Sequence, residues 1–146
     1  MVHSACTYSQ VPKEYSIGDL AAFHGHIGPI LILGYRIGRY ALKNLRGNPF
    51  TLKATVYYPK NTPEMCLADG VQLGSGCTLG KANIEIIDDS DVRCEFTCGT
   101  ERIVIRPLAY EKPPRDENYE SNLKKLAEKI FNSRDNELFV RVNGKE

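Results

Sequence analysis

The apolar repeat that follows Pro29 is the feature that most constrains how this chain of 146 residues can fold. Gly28 suits the N-cap of a helix and Pro29 its first position. The apolar positions behind them recur at helical spacing and stop at a Gly-Asn-Pro sequence: Ile30, Leu33, Ile37, Ala41 and Leu45. Gly34 and Gly38 lie four residues apart on one face, which predicts that another backbone packs closely there. The sequence therefore predicts a long core helix.

The rest of the chain alternates between strand and helix patterns. Residues 51–59 show the period of two that is typical of a half-buried strand. The other predicted elements are a short helical turn in 16–26, a helix over 63–76, strands near 82–88, 92–98 and 101–106, a linker over 112–118 and a helix over 118–132, with 137–143 as a final strand or a tail. This order predicts an α+β fold, a mixed β-sheet with packed helices, in a single domain over 1–146.

Composition excludes several classes of partner. The net charge is +1 and like charges form no block, so neither nucleic acid nor an acidic membrane surface is indicated. The longest apolar run, residues 30–33, is too short to cross a bilayer. The N-terminal residues lack the pattern of a secretory signal, so we expect a cytoplasmic protein. An odd number of cysteines, five, then favours reduced thiols, of which some are metal ligands or nucleophiles.

The glycine-rich stretch LGSGCTLGKANIEI, residues 73–86, has a superficial likeness to a phosphate-binding loop. Such a loop needs a glycine where this chain has Ser75, and a hydroxyl residue where it has Ala82. It also runs from a strand into a helix, whereas here a helix pattern precedes and a strand pattern follows. The sequence therefore argues against a nucleotide site and directs attention to the thiol in the loop, Cys77.

His24 and His26 are separated by one glycine, just before the long helix. In an extended or turn conformation they lie on the same side, next to a helix N-terminus that favours anions. Two histidines so placed suit a metal or an anionic substrate, but they also suit a hydrogen-bonded pair that fixes a turn. A zinc site needs three or four ligands, so both interpretations stay open.

Cys66 opens the second predicted helix, where the helix start would lower its pKa. Asp69 and Gln72 follow at intervals of three residues and extend a polar strip. In an unbroken helix, Cys77 would lie about 16 Å from Cys66, so the two could share an ion only if the chain folds back at the glycines between them. Each cysteine is equally well explained as a small buried apolar residue.

The remaining cysteines and basic residues are given structural roles. Cys94 and Cys98 would lie on one inward face about 13 Å apart, too far for a disulfide or a shared ion. Ile84 and Ile86 are predicted to point inward from their strand. His3 and Cys6 are assigned no role. The basic residues of the long helix are interpreted as a solvated face: Arg36, Arg39, Lys43 and Arg46.

Two motifs together, FHGHIGP and CLADGVQLGSGCTLGKAN, resemble the family of the formylmethanofuran dehydrogenase E-subunit and its stand-alone relatives. The resemblance covers about residues 18–107, with 112–146 as a C-terminal helical extension. It implies an α+β fold like the catalytic domain of glyceraldehyde-phosphate dehydrogenase, and a metal site, often zinc, formed by the histidine and cysteine motifs. The enzyme that gives the family its name reduces carbon dioxide onto methanofuran at a molybdenum or tungsten pterin centre on another of its subunits.

This chain departs from the family pattern at two places. The family usually has His-Gly-His-x-Cys-Pro, and here Gly28 occupies the cysteine position. Some members carry a cysteine-rich zinc module after the core, whereas no cysteine follows residue 107 here. The role that the family member plays in the full enzyme therefore does not transfer to this chain.

The leading hypothesis is a small metal-binding protein, accessory to one-carbon or redox metabolism, which holds zinc or another divalent transition metal. The expected ligands are His24, His26, Cys66 and Cys77, and the expected supporting residues are Asp69, Gln72, Thr78 and Lys81. A homodimer is expected from the flat glycine face of the long helix and from uncovered sheet, and a small-molecule ligand fits the site.

Two alternatives remain open. One is a thiol enzyme with Cys77 as the nucleophile, His24 or His26 as the base and backbone amides of the glycine loop as oxyanion donors. The other is a degenerate family member without metal, which keeps only a structural or partner-binding role.

Overall fold

A computed structural model describes residues 14–142, and His3 and Cys6 lie outside that range. The helices of the described part are α1 (Ile17–His24), α2 (Pro29–Asn44), α3 (Cys66–Ser75), α4 (Tyr119–Asn132) and α5 (Asp135–Leu138). Its strands are β1 (Leu52–Tyr58), β2 (Ile84–Asp88), β3 (Arg93–Cys98), β4 (Glu101–Pro107) and β5 (Phe139–Val142). Short 3₁₀ turns over Pro63–Met65 and Leu79–Lys81 precede α3 and β2.

The strands form a single mixed sheet in the order β2-β1-β3-β4-β5. β1 and β2 run parallel, and the other neighbours are antiparallel. The parallel pair requires a crossover, and α3 lies in that connection. The predicted α+β class, with a mixed sheet and packed helices, is confirmed.

One face of the sheet forms the core with the helices. Leu52, Ala54, Val56 and Tyr58 alternate along β1 and are at most 4% exposed. Phe96 and Cys94 lie opposite Ala54 and Val56 on β3 and are fully buried. The alternation of β1 therefore reports burial correctly, because β1 is flanked on both sides by other strands.

The prediction for β2 is wrong in one respect. Ile86 is 36% exposed, although its register opposite Val56 puts it on the core face. β2 is an edge strand, so the helical layer does not fully cover its outer positions. Cys98, at the end of β3, is likewise only partly buried, and its thiol lies 3.8 Å from Thr51 Oγ1.

α2 and α3 pack with their backbones in direct contact, as the glycine spacing predicted. A Cβ on Gly34 would lie 2.5 Å from the Leu67 carbonyl oxygen, and one on Gly70 only 2.1 Å from the Leu31 carbonyl oxygen. No side chain fits in that space. Because α3 of the same chain covers this face, it cannot be the surface on which a second copy docks, and that argument for a homodimer is wrong.

Arg36 does not belong to a solvated face. Its guanidinium donates hydrogen bonds to the carbonyl oxygens of Ile130 and Phe131 at 2.9 and 3.0 Å and pairs with Asp135 at 2.8 Å. These carbonyls belong to the last turn of α4, where the backbone lacks partners and the helix dipole favours a cation. Arg36 therefore fastens α4 to α2.

The C-terminal segment is part of the fold rather than an extension to it. Residues 137–143, predicted as a strand or a tail, contain the end of α5 and all of β5, which pairs with β4. Leu108 N donates to the carbonyl oxygen of Leu138, the last residue of α5, at 2.8 Å and ties the start of the 108–118 connection to the junction of α5 and β5.

Within residues 14–142, no single helix has both the length and the apolar character to cross a membrane. α1 and α2 pass that test of length and composition only when taken as a pair, and the two are bent by 113°.

Candidate metal centre

The junction of α1 and α2 brings the two histidines together. Ser16 and Asp19 form a capping box that starts α1, and Gly25 ends it in the left-handed conformation at φ 111°. Glycine adopts that conformation without steric cost. His24 is the last residue of α1 and His26 lies just beyond the turn, so the two rings approach to 4.8 Å between centroids.

Cys66, the first residue of α3, completes a cluster with these histidines. One ring nitrogen from each histidine and the Cys66 sulfur all lie within 4.8 Å of one another. Tetrahedral zinc with usual bond lengths separates such atoms by about 3.3–3.6 Å. A closure of about 1 Å, within reach of small side-chain rotations, would therefore bring the three donors to one ion.

Asp69 fixes the orientation of His24. Its Oδ2 lies 2.7 Å from His24 Nδ1, in a contact that is 12% exposed on the histidine side. An ionised carboxylate can only accept, so Nδ1–H of the neutral ring is the donor and the lone pair remains on Nε2. Asp69 follows Cys66 by one helical turn, so both reach the same side of α3. A carboxylate behind a histidine is the usual support of a metal ligand.

Gly28 faces the cluster across His26. A Cβ built on Gly28 would lie 3.0 Å from His26 Cε1 and 3.5 Å from His26 Nδ1. The backbone there is extended, at φ −140°, so any residue can adopt it. A side chain at position 28 would therefore contact the His26 ring, and glycine leaves that space empty.

The pKa of the Cys66 thiol is raised, whereas a position at a helix start predicts that it is lowered. Burial raises its pKa, and the nearby carboxylates of Asp69 and Glu64 raise it further. The 3₁₀ turn over Pro63–Met65 runs straight into α3, so Cys66 does not stand at a free helix N-terminus. A cation bound in the cluster would act in the opposite direction and lower the pKa of this thiol.

Cys77 lies elsewhere, and the geometry does not support it as a ligand or as a nucleophile. Its side chain is fully buried, and its thiol donates to the Leu52 carbonyl oxygen at 3.3 Å. Burial raises its pKa. Gly76 ends α3 in the left-handed conformation, and the next residue, Cys77, contacts Leu52 of β1 and not Cys66. Cys77 is therefore outside the group that could share an ion.

The neighbours of Cys77 hold the loop and are not part of the cluster. Gln72 Oε1 accepts from Leu79 N, and Thr78 Oγ1 accepts from both the backbone and the Nζ of Lys81. The backbone amides that were candidates for an oxyanion hole already have acceptors: Cys77 N on Ser75 Oγ, Thr78 N on Asn83 Oδ1, and Leu79 N on Gln72 Oε1. Of the four predicted supporting residues, only Asp69 reaches the cluster.

The cluster opens into a cavity of about 400 Å³. Four residues of its wall, which follow β4, were missed by the sequence analysis because they lie in or directly beside the 112–118 stretch that was interpreted as a linker: Tyr110, Lys112, Arg115 and Tyr119. Burial and nearby acidic groups raise the pKa of Tyr110 to about 12, so this hydroxyl is protonated at neutral pH. The sequence feature that could have indicated this part of the wall is a pair of prolines with a basic residue on each side, Lys112 and Arg115.

Residues 23–140 match the family model described as "FmdE, Molybdenum formylmethanofuran dehydrogenase operon". The match takes in both sides of the cluster, from His24 through Asp69, and continues through α4 and α5. The chain therefore belongs to the FmdE family, that of the formylmethanofuran dehydrogenase E-subunit, and the family region extends beyond the 18–107 span of the two motifs.

Two individual proteins show similarity. A probable S-adenosyl-L-methionine-binding protein of Archaeoglobus fulgidus is 35% identical over 68 residues, which are 45% of this chain and 19% of that protein. The chain thus matches about a fifth of that relative's length. The crystal structure of a tungsten formylmethanofuran dehydrogenase FmdE-like protein from Syntrophus aciditrophicus superposes with a TM-score of 0.59 at 22% identity, over 88% of this chain and 71% of that one. This likeness shows a shared fold.

Proposed function

We propose that the protein binds one transition metal ion, zinc, through His24 Nε2, a ring nitrogen of His26 and Cys66 Sγ. The observation that carries this proposal is the convergence within 4.8 Å of one ring nitrogen from each histidine and the Cys66 sulfur, with the Asp69 carboxylate hydrogen-bonded to His24 Nδ1. Imidazole and thiolate ligands suit zinc and not calcium or magnesium, which prefer oxygen.

Three protein ligands would leave a fourth position open. Structural zinc sites use four protein ligands, whereas catalytic sites use three and reserve one for water or substrate. Gly28 is where a fourth ligand would come from, and it supplies none. A bound zinc ion would supply Lewis acidity at that open position. Asp69 would keep the proton on His24 Nδ1, and the cavity walls would limit access of water.

Metal analysis of protein purified without chelators tests this directly, followed by competition titration with a chromogenic chelator. We expect one equivalent of metal, and a loss of affinity of about a hundredfold or more in Cys66→Ser. Cys98→Ser is the matched control, since Cys98 is also partly buried but lies at the end of β3. If Cys66→Ser and His24→Gln both bind zinc as the wild type does, the metal proposal fails and the structural interpretation takes its place.

The proposal also covers the oligomeric state, the location and the wider role of the protein. A homodimer is supported by the exposed β2 edge, and size-exclusion chromatography with light scattering tests it. A cytoplasmic location is supported by the need for Cys66 to stay a free thiol, which a reducing compartment ensures. The likeness to the catalytic domain of glyceraldehyde-phosphate dehydrogenase and an accessory role in one-carbon or redox metabolism follow from the family resemblance.

A further inference from the structure

We propose that the 400 Å³ cavity binds a small organic anion, whose carboxylate lies against Lys112 and Arg115 while its other end reaches the metal. This inference deepens the proposed function and rests on it for the metal end of the ligand. It assigns a role to the 108–118 connection, which contributes Tyr110, Lys112 and Arg115 to the cavity wall.

The charges that line the cavity have one sign. Lys112 and Arg115 line it, and no acidic side chain is found among the described residues of its wall. Two carboxylates lie near this wall. Asp69 is hydrogen-bonded to His24, and Glu64 lines a neighbouring cavity of about 330 Å³, which Lys112 also lines. With zinc balanced by the Cys66 thiolate and Asp69, the two cations leave an excess of positive charge that an anionic ligand would neutralise.

The two cations are exposed, and one of them has a ring partner in the cavity wall. The Arg115 guanidinium lies over the Tyr119 ring at 4.6 Å, a cation–π contact. Pro113 and Pro114 separate Lys112 from Arg115. Proline fixes φ and carries no backbone N–H, so little conformational entropy is lost when this segment is ordered around a ligand. The segment is thus suited to present two cations at a fixed spacing.

The remaining wall favours an organic body over a bare inorganic anion. It includes the apolar side chains of Pro29, Ile30, Pro63 and Leu123. Ligand sites of 300–1,000 Å³ usually combine such walls with a few polar groups that fix orientation. Inorganic phosphate would fill only a small part of this volume and would leave the apolar wall without contact. A short carbon chain with a carboxylate at one end and a metal-binding group at the other fits both.

Two probes of equal chain length test the charge preference on the full chain loaded with Co²⁺. One is 3-mercaptopropanoate and the other is neutral 3-mercapto-1-propanol, both followed through the thiolate-to-cobalt absorption. We expect about a tenfold tighter Kd for the carboxylate, which corresponds to about 1.4 kcal/mol. The double variant Lys112→Gln/Arg115→Gln should lose this preference and keep the affinity for the alcohol. Lys124→Gln/Lys125→Gln, at exposed positions of α4 outside the cavity wall, should behave as wild type.

Three outcomes would overturn the inference: equal Kd values in the wild type, a preference that survives in the double variant, or inorganic phosphate that displaces the probe at the concentrations where 3-mercaptopropanoate binds. If the chain takes up no Co²⁺, the proposed function fails instead. In that case, titrations with butanoate and with butanamide, followed by the chemical shifts of the Ile30 and Leu123 methyl groups, decide whether the cavity binds an anion without metal. A butanoate preference that depends on Lys112 and Arg115 supports an anion site without metal, and its absence refutes the site.

Discussion

One cysteine begins α3 and another follows just beyond its end, and the two differ in whether the polar groups beside them already have hydrogen-bond partners. At the start of the helix, the free donor atoms of His24, His26 and Cys66 converge on a cavity. At its end, the amides and side chains around Cys77 bond to one another. The same residue type is therefore a candidate ligand in one place and a packing residue in the other. Unused lone pairs that face a cavity, more than the motif, indicate a binding site.

The largest expected effect is on the contact between α2 and α3, on which both regions depend. Gly70→Ala places a Cβ 2.1 Å from the Leu31 carbonyl oxygen and 2.6 Å from Tyr35 N, so the helices must separate. We expect a loss of more than about 3 kcal/mol in the free energy of unfolding, beyond the gain in helix propensity of about 1 kcal/mol. Urea denaturation measures it. Gly80→Ala, which meets nothing within 4 Å, is the control and should unfold as the wild type does.

Asp69→Asn tests whether Asp69 supports metal binding by orienting the His24 ring, without being a ligand itself. The amide can offer its NH₂ group to His24 Nδ1 and so stabilise the ring tautomer that removes the lone pair from Nε2. We expect zinc affinity to fall by about 30-fold, within the range known for residues that support metal ligands. Unchanged affinity in a chelator competition would mean that Asp69 does not position the ligand.

Cys77→Ala tests the other end of α3. The thiol is fully buried among core residues, so its removal leaves a small cavity and frees the Leu52 carbonyl oxygen, which Asn83 still contacts. We expect a loss of about 1.5–2 kcal/mol in stability with zinc affinity unchanged. A fall in zinc affinity without a fall in stability would bring Cys77 back as a ligand.

Gly28→Cys sharpens the cluster. The new side chain points at His26, and a thiolate there would be a fourth ligand. Its Cβ lies 3.0 Å from His26 Cε1, so the ring must shift by a few tenths of an ångström, which offsets part of the gain. We expect zinc to bind about tenfold more tightly. Gly28→Ser has the same size without the thiolate and should show no gain.

The smallest expected effect is on the pH dependence of stability, which the buried thiol of Cys94 influences. Burial raises the pKa of Cys94 to about 12 from 9.0, so it stays protonated when folded and ionises only on unfolding. Because the unfolded chain then binds fewer protons, stability falls as pH rises above 9. Between pH 7 and 9.5, Cys94 should account for a loss of about 0.8 kcal/mol. Cys94→Ala, less stable at every pH, should lack that part of the slope, whereas Cys98→Ala should retain it.

The sequence supported the fold better than it supported the site. The repeat after Pro29, the alternation of 51–59 and the glycine breaks predicted α2, β1 and α3 close to their observed bounds, because each pattern reflects burial of a single element. The prediction that Ile86 is buried was wrong because alternation reports which face a residue is on, but not whether a neighbouring element covers it. The prediction that Arg36 is solvated was wrong because its partners are about 95 residues away in the chain.

By itself, the sequence determined the class of fold and the family, and it named the three residues that converge, His24, His26 and Cys66. Helical and strand periods and the spacing of the two motifs are local properties, and the chain carries them directly. Only the tertiary structure decided which cysteine joins the histidines, and that Lys112 and Arg115 line the same cavity as that cluster. The reason is physical: whether a thiol keeps a free lone pair depends on the atoms that surround it, and those atoms come from distant parts of the chain.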